Sequence, residues 1–269
     1  MEPRVVRVVV GEADYDRVVG ELWVLGPSAV AEDGRGDAVQ LTAGYTSPQD
    51  AAATAARLTG HAPELIGPDE DSWIASWRTH VAPYRTGPWR VRLPEHSRPD
   101  DDAIDLVIEP GSAFGFSHVS TRLALELLAA RLPPSADVGD VGSGTGILAV
   151  GSALLGANRV HAVDIDEVAV AMTAENAQRN QAGVEISLGS AAALPLPTYD
   201  FVMANMTAAT LIDICDDLVE KIADQGHLVL SGFLETQRAE VLAAFWRFRP
   251  TAHLLEDEWC AVLLQTRSA

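Results

Sequence analysis

The segment best suited to chemistry is Asp140–Gly146, whose sequence DVGSGTG alternates three glycines with other residues. It follows an apolar run that predicts a strand and precedes an apolar run that predicts a helix. Glycines at such a junction let backbone N–H groups approach a ligand and direct a helix N-terminus toward negative charge. A second acid, Asp164, ends the next predicted strand, where folds of this kind bind ribose hydroxyls. We therefore expect Asp140, Gly142, Gly144 and Asp164 to bind a nucleoside cofactor.

The spacing of the glycines separates two classes of cofactor. The dinucleotide fingerprint G-x-G-x-x-G/A would place its third small residue at Ile147, whereas the third glycine here is Gly146. The spacing Asp-x-Gly-x-Gly-x-Gly resembles the cofactor loop of class I S-adenosylmethionine-dependent methyltransferases. That cofactor has no pyrophosphate, and its zwitterionic methionine end suits an acid and backbone donors. We therefore expect S-adenosyl-L-methionine rather than a nicotinamide dinucleotide.

Four further motifs lie along the chain, at residues 110–115 (PGSAFG), 118–121 (HVST), 204–205 (AN) and 258–260 (EWC). Together they resemble the PrmA family, whose members methylate amino groups of large-subunit ribosomal protein L-eleven. Residues 110–115 (PGSAFG) match that family's Pro-Gly-x-Ala-Phe-Gly, and residues 118–121 (HVST) resemble its His-x-Thr-Thr. Residues 204–205 (AN) resemble the start of its Ala-Asn-Ile-Leu-Ala-Gly-Pro-Leu signature, and residues 258–260 (EWC) resemble its Glu-Glu-Trp. The likeness covers nearly the whole chain and is strong from Trp73 onward.

The resemblance implies roles for individual residues. It implies that Thr121, Gly142, Asp164 and Asn205 contact the cofactor and that Phe114 forms a wall of its pocket. From the residues alone, Thr121 could instead satisfy an unpaired N–H group at the start of a helix, and Phe114 could fill the core. Asn205 ends a predicted strand, and the carboxyl ends of parallel strands are where such proteins carry their ligand-facing groups.

The chemistry of methyl transfer to an amine suggests two catalytic residues, Asn205 and His118. An amine must lose a proton before it attacks a sulfonium methyl group, and an in-line displacement otherwise needs positioning. We expect the Asn205 side chain and the backbone carbonyls of Met206 and Thr207 to accept the hydrogens of the amine. His118 could equally be structural, because a lone histidine is more often structural than catalytic.

Two departures from the family pattern border the expected acceptor entry. Residues 116–117 (FS) replace the family's Thr-Gly-x and are one residue shorter, and residues 206–211 (MTAATL) lack its Leu-Ala-Gly-Pro. The expected function is therefore methylation of an amino group of a protein or peptide, with a ribosomal protein as one acceptor. The alternative is a tailoring N-methyltransferase that acts on a peptide natural product or a small amine. A non-catalytic module that binds the cofactor is a third interpretation.

The order of predicted elements indicates an α/β protein of two domains. From Ser135 onward strands alternate with helices, which predicts a doubly wound, Rossmann-like, mostly parallel sheet. In it we expect helices at Ala208–Ile222 and Glu235–Trp246 and a closing hairpin near the C-terminus. The first 60 residues read strand, helix, strand, strand, helix, with Ser47 and Pro48 opening the second helix. We expect residues 1–60 to recognise the substrate, 61–105 to form a linker rich in Trp and Pro, and 106–269 to be catalytic.

The net charge and the numbers of cysteine and histidine residues limit the classes of partner, compartment and metal site that we expect. The net charge of −19, from 38 acidic and 19 basic residues, disfavours direct contact with nucleic acid or an anionic membrane and suits a basic protein or peptide. The two cysteines, Cys215 and Cys260, are too few for a disulfide framework, so we expect reduced thiols and a cytoplasmic protein. The seven histidines form no clustered ligand motif along the sequence, so no metal site is expected.

Overall fold

The computed structural model describes residues 4–11, 14–23, 27, 29–33, 38–45, 47–67, 81–98, 100–110 and 116–266. The chain divides into two compact units, Met1–Ala82 and Pro83–Ala269. The larger unit contains every residue for which the sequence predicts a cofactor or catalytic role.

Within the described residues, the N-terminal unit is a four-stranded antiparallel sheet with two helices. In chain order its elements are β1 (Val5–Gly11), α1 (Tyr15–Trp23), β2 (Ala29–Asp33), β3 (Ala38–Gly44), α2 (Pro48–Arg57) and β4 (Glu64–Ile66). The strand order is β2-β3-β1-β4. The predicted βαββα order is confirmed, with β4 in addition. Ser47 caps α2 by accepting a hydrogen bond from the Asp50 N–H, as predicted.

The segment 61–105, for which the sequence predicted a linker, carries strands to which the sequence reading gave no assignment. Strand β4 belongs to the N-terminal sheet, and the boundary between the two units falls at Ala82/Pro83. Beyond it, β5 (Tyr84–Thr86), β6 (Trp89–Arg92) and β7 (Ile104–Val107) form a three-stranded sheet. The Arg92 guanidinium joins β6 to β7 through two 2.8 Å hydrogen bonds to the Asp105 carboxylate.

The sheet of the larger unit has seven strands among the described residues. They are β8 (Asp137–Val141), β9 (Arg159–Asp164), β10 (Glu185–Leu188), β11 (Tyr199–Asn205), β12 (Ile222–Leu234), β13 (Phe248–Glu256) and β14 (Trp259–Thr266). Their order is β10-β9-β8-β11-β12-β14-β13. The first five are parallel, and β14 and β13 add an antiparallel hairpin. The predicted doubly wound, mostly parallel α/β architecture is confirmed.

Six helices accompany this sheet in the part of the unit that the structure describes. They are α3 (Val119–Arg131), α4 (Ile147–Leu154), α5 (Glu167–Arg179), α6 (Ala208–Asp213), α7 (Cys215–Glu220) and α8 (Arg238–Ala244). Helix α3 buries most of its leucines, consistent with a helix that packs against the sheet. None of the described helices has the length and apolar character needed to span a membrane.

Two of the predicted helices are wrong in their extent. The helix expected over Ala208–Ile222 is two short helices that meet at Ile214, and Ile222 already begins β12. The β-branched residues Ile212 and Ile214 lie at the break and pack against the core, and β-branched side chains favour a continuous helix less. The helix expected over Glu235–Trp246 is a 3₁₀ turn followed by α8, which ends at Ala244.

Candidate cofactor and acceptor site

The candidate site lies at the carboxyl edge of the parallel strands. Strands β8, β9, β11 and β12 run in the same direction, so the residues that follow them meet at one edge. The register pairs Asn205 at the end of β11 with Ser231 on β12, and Val141 at the end of β8 with both Ala204 and Val163. The topology therefore brings the glycine loop, Asp164 and Asn205 to the same side of the sheet, as the sequence predicts.

The backbone of the glycine loop has a conformation that favours glycine at three positions. Gly142, Gly144 and Gly146 have φ values of 72°, 54° and 77°, in the left-handed region that side chains with a Cβ rarely adopt. Space is restricted as well. A Cβ atom on Gly142 would lie 3.0 Å from the Met206 Cε, and one on Gly146 would lie 2.7 Å from the Thr173 Cγ2. The loop therefore depends on glycine both for its dihedral angles and for its packing.

Hydrogen bonds within the chain already hold this loop in shape. The N–H groups of Gly142 and Ser143 donate to the Val163 carbonyl at 2.8 and 3.1 Å, and the Gly144 N–H donates to the Asp164 carboxylate at 2.9 Å. The Gly146 N–H donates to the Ser143 carbonyl at 2.7 Å. The chain itself uses these N–H groups, and the expected contact of Gly142 and Gly144 with a cofactor stays a prediction. The glycines give the loop its shape.

Asp164 is half-buried, and both of its oxygens accept backbone hydrogen bonds. Oδ2 accepts from the Gly144 N–H at 2.9 Å, and Oδ1 accepts from the Asp166 N–H at 3.0 Å. An ionised carboxylate offers about four acceptor positions, so two of them remain for other donors such as hydroxyl groups. Asp164 thus joins the glycine loop to β9, and its chemistry fits the predicted role with ribose hydroxyls.

Three exposed apolar residues lie near Asp164 in the chain or in the strand register, and sequence reasoning missed them. Ile165 follows it in the chain and is 80% exposed, Val168 is 49% exposed, and Leu188, the β10 partner of Asp164 in the register, is 52% exposed. Adjacent exposed apolar side chains are typical of a surface that another molecule covers. An aromatic base beside a ribose would cover this one. The sequence signal was the apolar Ile165 between two acids.

Two buried polar residues of α5 fix the loop from behind, and sequence reasoning missed them too. The Thr173 hydroxyl donates to the Gly144 carbonyl at 3.1 Å and lies 2.9 Å from the Ser143 hydroxyl. The Asn176 amide donates to the Thr145 carbonyl at 2.9 Å. Both side chains are fully buried. A Thr and an Asn three residues apart on one helix face were the signal available, since polar residues are rarely buried without such bonds.

Asn176 and Asn180 of α5 also hold the segment that precedes the 110–115 motif. Asn176 exchanges hydrogen bonds with the Glu109 backbone, accepting at 2.8 Å and donating at 2.9 Å. Asn180 does the same with Val107, at 2.9 and 2.6 Å. The backbone leading into residues 110–115 is thereby tied to the helix that supports the loop. Phe114 itself lies outside the described residues, and its predicted role stays a prediction.

Asp140 lies beneath the loop with 1% of its surface exposed. Its Oδ2 accepts a hydrogen bond from the Ala149 N–H of α4 at 3.0 Å, and its Oδ1 is buried with no partner among the described residues. Burial, together with a smaller contribution from the Asp164 charge, raises the pKa of this carboxyl group to about 7. Asp140 therefore joins β8 to α4, and direct contact with a cofactor stays a prediction.

Asn205 and Thr121 form a polar pair next to the loop. The Asn205 Nδ2 donates to the Thr121 hydroxyl at 3.0 Å, while the Asn205 Oδ1 is buried without a partner in the described part of the chain. Thr121 is fully buried and does not cap α3, so the alternative role at the helix start is not what the structure shows. Thr121 thus orients the Asn205 amide group, which leaves the amide oxygen, Oδ1, without a hydrogen-bond donor among the described residues.

Gly232 leaves room for this oxygen. Its φ is 90°, and an added Cβ would lie 2.8 Å from the Asn205 Oδ1 and 2.5 Å from the Met206 carbonyl oxygen. Glycine at 232 thus keeps a side chain away from two acceptor oxygens at the edge of the sheet. Sequence reasoning missed Gly232, because its neighbourhood depends on the register between β11 and β12.

His118 caps helix α3. Its Nδ1 accepts a hydrogen bond from the Ser120 N–H at 3.2 Å, and its ring packs edge-to-face on the Trp259 ring with centroids 4.4 Å apart. Burial, together with a smaller contribution from the nearby Arg122 charge, lowers the pKa of His118 to about 4. The ring is therefore neutral near pH 7. The structure gives His118 a capping role, and its catalytic role stays a prediction.

The sequence profile described as "Ribosomal protein L11 methyltransferase (PrmA)" matches residues 36–267. The chain belongs to the PrmA family. A ribosomal protein L11 methyltransferase of Geobacter metallireducens is 39% identical over 201 residues, which cover 73% of this chain and 67% of the relative. A ribosomal protein L11 methyltransferase of Sorangium cellulosum is 34% identical over 282 residues, which cover 94% of this chain and 87% of the relative.

A solved structure of this family has the same architecture. The crystal structure of a ribosomal protein L11 methylase from Lactobacillus delbrueckii subsp. bulgaricus matches with a TM-score of 0.63 and 26% identity. The match covers 67% of this chain and 96% of that chain. The cofactor of the PrmA family is S-adenosylmethionine, and the residues present here fit it. The loop of three glycines, the carboxylate of Asp164 and the apolar surface beside it suit a methionyl, a ribosyl and an adenine group, respectively.

The first prediction concerns the shape of the PrmA-type loop. Gly146→Ala adds a Cβ against the Thr173 backbone, with the Thr173 Cα at 3.0 Å, and strains a left-handed φ. We expect the overlap with Thr173 to destabilise the protein by about 1–3 kcal/mol beyond the cost of an alanine with a left-handed φ. We also expect the variant to bind S-adenosylmethionine more weakly. Gly156→Ala is the matched control, because Gly156 has a φ of 89° but no atom within 4 Å of the added Cβ.

Urea unfolding and isothermal titration with the donor measure both effects of this pair of variants. The control should show only the cost of a left-handed alanine, about 1–2 kcal/mol, with unchanged donor affinity. Equal losses of stability and affinity in Gly146→Ala and Gly156→Ala would contradict the packing account.

The second prediction concerns Asp140. The pKa of Asp140 is about 7 in the folded chain and ~3.9 in an unfolded one. Between about pH 4 and pH 7, therefore, its carboxyl group is ionised in the unfolded state and protonated in the folded state. The unfolded state then binds fewer protons, and Asp140 reduces stability progressively as the pH rises from about 4 to about 7. Asp140→Asn removes this titration. The unfolding free energy of the variant, relative to the original protein, should rise across that range and then level off; a pH-independent difference would contradict this.

Proposed function

We propose that this chain transfers the methyl group of S-adenosylmethionine to an amino group of a protein substrate. Membership of the PrmA family supports the reaction class, and the names of the relatives support a ribosomal protein as the acceptor. The matched region spans 67% of the Geobacter metallireducens relative and 66% of each of two further ribosomal protein L11 methyltransferases. Because the match covers only about two thirds of these relatives, the identity of the acceptor is part of the proposal. The tailoring alternative is not favoured by these relatives.

The observation that carries the proposal is the buried, unsatisfied Oδ1 of Asn205. A buried carbonyl oxygen without a hydrogen-bond partner costs about 1–3 kcal/mol, so its retention points to a donor that arrives with a ligand. An amino group supplies such a donor. Because Thr121 holds the Asn205 Nδ2, the amide presents an acceptor rather than a donor.

The residues of this chain position the amine and keep it uncharged. The Asn205 Oδ1 and the Met206 carbonyl oxygen both lie close to Gly232, and they would accept two amine hydrogens and orient the lone pair. Met206 also contacts Gly142, so the acceptor region is continuous with the donor loop. When bound, the cofactor supplies an electrophilic methyl group on a sulfonium. Exclusion of water at this half-buried edge would lower the pKa of a lysine or α-amino group.

We propose that the N-terminal unit recognises the protein substrate. Strand β1, one of the two inner strands of its sheet, leaves Val9 55% exposed, which offers an apolar contact. The net charge of the whole chain, −19, suits a basic acceptor. It likewise disfavours direct nucleic-acid contact.

We also propose a cytoplasmic location. Cys215 and Cys260 are both buried free thiols, which is the usual state of cysteines in reducing compartments. Ribosomal acceptors would be present there.

The third prediction tests Asn205. Asn205→Ala removes the acceptor oxygen, so kcat should fall about 10²–10³-fold while the affinity for S-adenosylmethionine changes little. Asn158→Ala is the matched control, because Asn158 is exposed and bonds Asp137 at the opposite end of β8. Single-turnover kinetics and isothermal titration give the two quantities. Unchanged turnover in Asn205→Ala with intact donor binding would reject the proposed role.

The fourth prediction tests the acceptor. Purified ribosomal protein L11 incubated with the full chain and S-adenosylmethionine should gain mass in steps of one methylene group, located on lysine or α-amino nitrogens by peptide mass spectrometry. Asn205→Ala is the negative control. Methylation of a peptide or small amine in its place, with no change in the ribosomal protein, would favour the tailoring alternative.

A further inference from the structure

Three metal-binding residue types converge at the antiparallel edge of the large sheet, away from the glycine loop. Cys260 lies on β14, His253 lies on β13, and Glu235 follows the end of β12. The donor atoms of these three side chains all lie within 4.8 Å of one another. They are distant in sequence, so no metal site was expected from the spacing of the ligand types along the chain.

The strand register explains why they meet. Cys260 pairs with Leu255 on β13, and His253 pairs with Val262, so His253 and Cys260 are diagonal neighbours on one face of the hairpin. On its other side Cys260 pairs with Phe233 of β12, two residues before Glu235. The Glu235 N–H also donates to the Glu258 carbonyl at 2.8 Å, which holds the end of β12 against the hairpin.

The donor set has the chemistry of a zinc ligand set. A cysteine sulfur, a histidine nitrogen and a carboxylate oxygen are the groups that bind Zn²⁺, and three protein ligands leave one position for water. Cys260 is fully buried, whereas 33% of the His253 side chain and 31% of the Glu235 side chain are exposed. The thiol thus forms the floor of the cluster, and an ion can enter past the other two.

We propose that Glu235, His253 and Cys260 form a binding site for a thiophilic divalent cation of the Zn²⁺ class. In the structure the His253 Nε2 lies 2.8 Å from the Glu235 Oε2, and Arg238 donates to the Glu235 Oε1 at 2.8 Å. Arg238 therefore engages the other carboxylate oxygen and leaves Oε2 facing the cluster. On binding, the Cys260 thiol releases its proton to solvent, the His253–Glu235 contact opens, and a water completes a tetrahedral set.

The site is independent of the proposed methyl-transfer function. None of its three ligands belongs to the glycine loop or to the Asn205–Thr121 pair. The cluster is nevertheless connected to the candidate methyl-transfer site by two contacts. Trp259, which precedes Cys260 in the chain, packs on His118, and the Cys260 carbonyl accepts a hydrogen bond from the Ser231 hydroxyl at 3.2 Å. A bound ion would therefore stiffen the strands that carry these residues.

The experiment uses the full, tag-free chain, dialysed against chelator and titrated with Co²⁺ alone and then with Zn²⁺. We expect one Co²⁺ per chain, with the intense visible absorption of a tetrahedral ion and a sulfur-to-cobalt charge-transfer band, both abolished by Zn²⁺. Cys260→Ser should remove the charge-transfer band, whereas Cys215→Ser, the matched control on α7, should keep it. His253→Gln, at a partly exposed position that leaves the buried core intact, should weaken the affinity at least ~10-fold.

Each outcome decides the proposal. Absence of a tetrahedral spectrum in the folded original chain overturns it, as does a charge-transfer band that survives Cys260→Ser or disappears in Cys215→Ser. An affinity unchanged by His253→Gln overturns it as well, and does so even if Cys260→Ser fails to fold. Methyl-transfer activity measured in parallel separates this result from the proposed function, since loss of the metal signal with intact turnover concerns the metal site alone.

Discussion

The site depends on one constraint, the left-handed backbone of the glycine loop. Gly142, Gly144 and Gly146 follow β8 in conformations that residues with a Cβ rarely adopt, and hydrogen bonds to Val163 and Asp164 hold the turn against β9. Helix α5 closes the loop from behind. The sequence suggested that the loop's N–H groups would meet a ligand, but most of those described already bond within the chain. The glycines are therefore needed for a preformed surface, which explains why any side chain here would be costly.

The region proposed to bind the amine differs from the glycine loop, because it retains a buried oxygen, the Asn205 Oδ1, without a hydrogen-bond partner among the described residues. Thr121 uses the donor end of the Asn205 amide, and glycine at 232 avoids a Cβ that would lie 2.8 Å from its buried oxygen. Four elements, α3, β11, β12 and the loop after β11, must be in register for this one oxygen to stay available. His118 contributes by fixing the start of α3 as a neutral cap, which positions Thr121 one turn further along. A residue expected in catalysis thus has an observed role in positioning.

Local signals in the sequence were sufficient for the architecture and for the residues at strand ends. The alternation of apolar strands and helices gave the parallel sheet, and the spacing of glycines and acids gave the loop and Asp164. Asn205 came from the resemblance to the PrmA family and from its place at the end of a predicted strand. Contacts that depend on tertiary register could not be predicted in this way. Thr173 and Asn176 become supports only when α5 packs behind the loop, and Glu235, His253 and Cys260 meet only through the pairing of three strands. The predicted helix over 208–222 was wrong in extent, because the chain ends one helix at Asp213, begins another at Cys215 and enters β12 at Ile222, boundaries that the apolar pattern did not mark.

Amide hydrogen exchange over residues 140–148 tests the central claim most directly. In a preformed loop the N–H groups of Gly142, Ser143, Gly144 and Gly146, which are already bonded within the chain, should exchange slowly before any ligand is added. They should exchange more slowly still with S-adenosylmethionine, whereas NAD should leave exchange unchanged. Rapid exchange in the free chain would contradict a preformed loop. Exchange that is insensitive to the methyl donor, or that slows with NAD instead, would contradict the assignment of the cofactor.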